Sequence, residues 1–127
     1  MKITRLDHLV LTVSNIDKSV DFYTQVLGFE LVIFNKRKAL KFGDQKINLH
    51  QKGNEFEPKA ERPTTGSADL CFIAETKLED ILLELEQKEI EVIEGIVERT
   101  GAMGKIRSVY FRDPDLNLIE VSNYCPE

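Results

Sequence analysis

Cysteine and histidine are both scarce in this chain: its 127 residues contain two of each. Two cysteines, Cys71 and Cys125, support neither a disulfide framework nor a paired-cysteine metal knuckle. Cys71 lies in an apolar, strand-like run and is expected to be a reduced interior thiol, whereas Cys125 falls near the chain end. No apolar run approaches the roughly 18 residues of a membrane span. No block of about five Lys or Arg residues occurs, and the formal net charge is -5, which argues against a nucleic-acid surface. Met1–Arg5 runs straight into a strand without the apolar segment of a signal peptide, predicting a cytoplasmic protein. With 42% hydrophobic and 31% charged residues, the chain reads as one globular domain, 1–127, able to bury a core.

The pattern along the chain repeats. Residues 3–13 alternate as a strand, and Ser14–Asp17 offers a helix start with Ser14 as the cap of a capping box. Ile16, Val20, Tyr23 and Leu27 keep helical spacing and Gly28 is a natural stop. Strands follow at about 29–34, 37–42 and 46–51. The polar stretch Lys52–Ser67 carries Gly53, Pro58, Pro63 and Gly66 and separates two halves. Ala68–Ala74 is again strand-like, and Thr76–Glu79 reads as a second capping box. Leu78, Ile81, Leu82 and Leu85 form a helix face. Strands are expected at about 90–94, 105–111 and 117–123, with a turn at Asp113–Asn117 before the last. The glycine-bearing stretch Glu94–Gly104 reads as a mobile cover.

Sliding the chain so that His8 falls on Asp69 also places Val20 on Ile81, Phe29 on Ile90 and Leu31 on Val92. The expected architecture is therefore α+β: two βαβββ modules, about 1–52 and 67–127, joined by a connection of about 53–66, with one helix backing each. Strand parity then sorts the side chains. Leu9, Leu11 and Val13 face the helix and His8 faces away; Ile47 and Leu49 face it and Asn48 and His50 do not. Leu70 and Phe72 face the second helix, leaving Asp69 and Cys71 opposite. Ile119 and Val121 likewise leave Glu120 and Ser122 opposite. Four strands thus turn an imidazole or carboxylate away from their helices, where an unpartnered charge is costly. The bland alternatives are a satisfied interior His8, a strand-end His50, and an Asp69 paired with Arg99 or Arg107. Either arginine could instead receive an anionic substrate group.

The stretches Leu6–Val13 (LDHLVLTV), Ser19–Phe29 (SVDFYTQVLGF) and Phe111–Glu120 (FRDPDLNLIE) resemble the vicinal oxygen chelate superfamily, the glyoxalase and bleomycin-resistance fold. Arg37–His50 and Phe56–Ala60 are similar to its short branch of glyoxalase-domain and virulence-associated proteins. The resemblance implies a cupped mixed sheet holding one divalent metal ion per chain, of the Zn, Ni, Fe, Mn or Co kind. Its ligands would come from the first and last strands of each module: His8, Asp69, Glu120, and either His50 or Asn48. Glu120 is the candidate for a dual role as ligand and catalytic proton carrier. The implied function is a lyase or isomerase of the glyoxalase type acting on a small oxygenated substrate, in a homodimer. Two alternatives stay open: a ring-cleaving Fe(II) dioxygenase using His8, His50 and Glu120, and a metal-free small-molecule binding protein.

Overall fold

A computed structural model describes residues 1–126 and divides the chain into two compact units, Met1–Ser67 and a second beginning at Ala68. The first unit contains β1 (His8–Val13), α1 (Ile16–Gln25), β2 (Glu30–Phe34), β3 (Arg37–Phe42) and β4 (Gln45–Gln51). Its sheet order is β1-β4-β3-β2, with β1 and β4 parallel and the other pairs antiparallel. A parallel pair needs a crossover, and α1 with the β2–β3 hairpin supplies it. That hairpin turns at Asn35 and Lys36, both at positive φ (47° and 62°), as a two-residue turn matching strand twist requires.

Register sets the faces. Leu9 pairs with Ile47 and Leu11 with Leu49, so alternate residues of both strands converge on one side. Leu11, Val13, Leu40, Ile47 and Leu49 are buried there with Tyr23 of α1. Each fully buried aliphatic side chain contributes on the order of 1.5–3 kcal/mol. The helix is capped by Asn15, whose side chain accepts the Lys18 N–H at 3.0 Å. Ser14 therefore lies one residue outside the expected capping box. Asp17, the acid of that box, instead meets Lys38 Nζ at 3.2 Å.

The second unit repeats the plan with β5 (Asp69–Ile73), α2 (Leu78–Gln87), β6 (Glu94–Thr100), β7 (Lys105–Arg112) and β8 (Leu118–Tyr124). Its order is β5-β8-β7-β6, again with the outer pair β5–β8 parallel. The two-module α+β architecture is thus as expected. Leu78, Ile81 and Leu85 of α2 are buried, as are Val109, Phe111, Ile119 and Val121 of the sheet. Among the described residues, no helix is long and apolar enough to cross a membrane.

Two expectations fail in this unit. Thr76 does not cap α2: Lys77 is the cap residue and makes no side-chain capping bond. Asn123 of β8 reaches across instead, its Oδ1 accepting Leu78 N–H at 2.9 Å while its Nδ2 donates to Ala74 and Thr76 carbonyls. Asn123→Ala removes all three bonds and is expected to cost about 1–2 kcal/mol, read by urea unfolding. An unchanged midpoint would mean that solvent replaces the cap without loss. The strand expected at 90–94 begins only at Glu94, and the supposed mobile cover is itself β6 and its hairpin. Glu94 pairs with Tyr110 and Thr100 with Lys105. Gly95 is there for proximity rather than mobility, since an added Cβ would lie 2.7 Å from Val109 Cγ1 and 2.9 Å from its Cα.

Candidate functional site

In the first unit, His8, Val10 and Thr12 of β1 share a face with Asn48 and His50 of β4. His8 Nδ1 lies 2.7 Å from Asp7 Oδ2. An ionised carboxylate only accepts, so Nδ1 is the donor in this bond and Nε2 is left facing away from Asp7. The hydrogen bond from His8, with the nearby Arg5 and Lys46 charges, holds the Asp7 carboxyl below its usual range. His50 is in a different setting. It is buried, its ring edge-to-face with Phe56 at 5.6 Å, and the Arg37 guanidinium lies 3.9 Å from the Phe56 ring centre. Burial lowers the His50 pKa, and the Arg37 charge lowers it further.

That shift gives stability a direction. Above the ordinary value of 6.5 His50 is neutral in both folded and unfolded chains. As pH falls below it, the unfolded chain takes a proton that the folded chain resists, so stability declines. Urea unfolding in chelator between pH 8 and 5 should show this decline, and His50→Gln should flatten it. Parallel slopes in both proteins would exclude His50 as the cause.

Register also aligns the fourth strands of the two units. Val10 pairs with Asn48 in the first unit as Cys71 pairs with Glu120 in the second. Asn48 is therefore the counterpart of Glu120, and His50 is the counterpart of Ser122. The Asn48 Oδ1 is buried without a hydrogen-bond partner among the described residues.

In the second unit, Glu120 lines a concave pocket of about 420 Å³ together with Cys71, Ile73, Arg99, Tyr110 and Tyr124. β8 turns Glu120 away from α2 because Ile119 and Val121 on either side are buried against it. Behind Glu120 stand two fully buried hydroxyls paired across the sheet, Ser108 and Ser122. Ser108 Oγ donates to Glu120 Oε2 at 2.6 Å and lies 2.7 Å from Ser122 Oγ. Because Ser108 spends its proton on the carboxylate, its oxygen accepts from Ser122. Ser122 in turn lies 3.4 Å from Cys71 Sγ, which leaves the thiol as donor. Burial pushes the Cys71 thiol up, and the Glu120 and Asp69 charges add to this. The expected interior position of Cys71 fails: the residue is exposed, with its thiol part-buried toward Ser122 on the pocket side.

Arg99 and Arg107 part company. Arg107 points to the helix side and pairs with Glu79 of α2 at 3.2 Å. Arg99 lines the pocket, where its Nε donates to Tyr110 Oη at 3.0 Å and its Nη2 to Glu94 at 3.2 Å. Asp69 is exposed and pairs with neither arginine. Burial pushes the Tyr110 phenol up; Glu120 reinforces this and Arg99 opposes it. Among the described residues, no three His, Cys, Asp or Glu side chains gather into a group able to hold a metal ion. Reading the sequence did not single out Ser108, Tyr110 or Tyr124. Alternation along β7 and β8 carries the signal, since Ser108 and Tyr110 share the parity that pairs them with Ser122 and Glu120.

Comparison with known proteins places this geometry. Residues 5–121 match the family model for the Glyoxalase/Bleomycin resistance protein/Dioxygenase superfamily. Virulence protein STM3117 of Salmonella typhimurium is 62% identical over 98% of this chain and 87% of its own length. Its crystal structure superposes with a TM-score of 0.97, covering 98% of this chain and 100% of that one. Glyoxalase domain-containing protein RDO1 of Mycosarcoma maydis is 55% identical over 98% of this chain and 70% of its own. Metallothiol transferase FosB of Staphylococcus epidermidis is more distant, 27% identical over 91% of this chain and 81% of its own. The chain belongs to the Glyoxalase/Bleomycin resistance protein/Dioxygenase superfamily.

Proposed function

We propose that this protein is a metal-dependent lyase or isomerase of the glyoxalase type, with the Glu120 pocket as its substrate site. The observation that carries this reading is Glu120 itself: a carboxylate between buried strand residues, held through one oxygen by Ser108 and facing a small cavity. We propose His8 and Glu120 as ligands, with Asp69 on the same face of its sheet as Glu120. Their chemistry suits a cation. Asp7 orients the His8 ring and leaves Nε2 to bind, and Ser108 orients Glu120, as outer partners of metal ligands commonly do. A bound divalent cation would polarise neighbouring oxygens of a substrate. Glu120 would then take a proton from one substrate carbon and return it at the next, while Ser108 keeps the carboxylate aimed into the cavity.

His50 fits this role poorly. Burial, and after it the Arg37 guanidinium, depresses its pKa, and both disfavour a cation there. The same surroundings weigh against the two-histidine Fe(II) set of a ring-cleaving dioxygenase. The distant relative named as a metallothiol transferase adds support for metal chemistry on this fold.

Elemental analysis of the purified protein is expected to find about one divalent ion per chain, and light scattering a homodimer. An absence of metal, together with a melting temperature indifferent to added Zn, Ni, Mn, Co or Fe(II), would replace the enzyme reading with a metal-free binder.

A further inference from the structure

Resting on the proposal that the Glu120 pocket is the substrate site, we infer that its substrate carries a carboxylate, received by Arg99 and Tyr124. Among the described residues, Arg99 is the one basic side chain lining the pocket, in a chain whose net charge is -5. Three bonds hold its guanidinium: Nε to Tyr110 Oη at 3.0 Å, Nη1 to the Glu98 carbonyl at 2.9 Å, and Nη2 to Glu94 at 3.2 Å. A guanidinium has five N–H donors. One on each terminal nitrogen therefore carries no hydrogen bond among the described residues, and a pair of such donors suits the two oxygens of a carboxylate.

Tyr124 adds a third donor on the same wall. Its Oη accepts the Met103 N–H at 3.2 Å, and among the described residues its phenolic proton meets no acceptor. Gly101 lets this hydroxyl approach, since an added Cβ would lie 3.0 Å from it. The Arg99–Glu94 pair is no obstacle. Its side chains are 41% and 53% exposed, and so solvated a pair contributes little and yields easily to a better anion.

The remaining walls limit the rest of the molecule. Ile73 is 54% exposed, although it lines the pocket with buried Ile106; a short carbon skeleton would cover it. Tyr110 stands between the two charged groups, accepting from Arg99 and interacting with Glu120. The substrate class is therefore a small carboxylic acid with its reacting, oxygenated carbon toward Glu120 and its carboxylate toward the β6–β7 hairpin.

Pyruvate and hydroxyacetone are the probes, matched in size and differing in charge. Each is titrated into the full-length protein, metal-loaded and metal-stripped, with amide NMR shifts as the readout. Pyruvate is expected to bind saturably and shift residues 99–102, with hydroxyacetone about tenfold weaker. Arg99→Gln should abolish the preference at unchanged metal content, and Arg99→Lys should restore part of it. Equal affinities, no saturable pyruvate binding at tens of millimolar, or a preference that survives Arg99→Gln would each overturn the inference. Pyruvate selectivity in a protein that takes up no divalent metal would refute the metal reading and leave this one standing; metal uptake without selectivity would do the reverse.

Discussion

Glu120→Gln should lower divalent metal affinity about a hundredfold or more while the metal-free protein melts within a few degrees of the parent. The substitution keeps shape and an acceptor oxygen for Ser108 but removes the charge that a hard cation needs. His8→Ala should strip metal equally, and more cleanly, because the His8 side chain is 44% exposed and little packing is lost with it. His50→Gln is the informative control and should leave metal content unchanged. Mass-spectrometric metal analysis after dialysis reads all three. Full occupancy in both Glu120→Gln and His8→Ala would remove the proposed ligand set, and loss in His50→Gln would bring that imidazole back into it.

Asn117→Ala should be severely destabilising. Asn117 is fully buried at the turn before β8. Its Oδ1 accepts Ala68 N–H at 2.9 Å, and its Nδ2 donates to Asp113 Oδ2 at 2.8 Å. Asp113 Oδ1 in turn accepts the backbone N–H of Asp115 and Asn117. The turn and the first rung of the parallel β5–β8 pair are thus built on one buried polar network. Truncating Asn117 leaves a backbone donor and a carboxylate oxygen underprovided, at about 1–3 kcal/mol each, or roughly 3–4 kcal/mol together. That corresponds to a fall in melting temperature of about 10 °C or more. Calorimetry measures it, and a fall of under two or three degrees would show that water rescues the network. Because the same strand pair carries Cys71 opposite Glu120, such a change should also loosen the pocket.

Strand parity was legible from local residues. Ile119 and Val121 around Glu120, and Ile47 and Leu49 around Asn48, assigned these groups to the face away from the helix, and the register agrees. The repeat of the two halves was legible for the same reason, and both units show the same sheet order. The last strands of the halves were harder to align by eye. That Asn48, rather than His50, is the counterpart of Glu120 follows from the pairing of β4 with β1 and of β8 with β5.

Misreadings cluster where the deciding partner is distant in sequence. Thr76 carries the local signature of a cap, but Asn123 supplies the bond from another strand. The glycines of Glu94–Gly104 suggest a mobile cover when read alone, whereas the tight packing of Gly95 on Val109 belongs to a paired strand. Arg99 and Arg107 look equivalent in sequence; only opposite strand faces send one to the pocket and the other to Glu79.

From its residues alone this chain determines its modules, its helix faces and the outward position of His8, Asp69 and Glu120. Those follow from a side-chain period of two and a helix period of 3.6, which any short window reveals. Tertiary structure alone decided that Ser108 grips Glu120, that Arg99 joins Tyr110 at the pocket wall, and that His50 lies beneath Phe56. These are contacts between segments brought together by strand register and loop closure, and no local pattern encodes them.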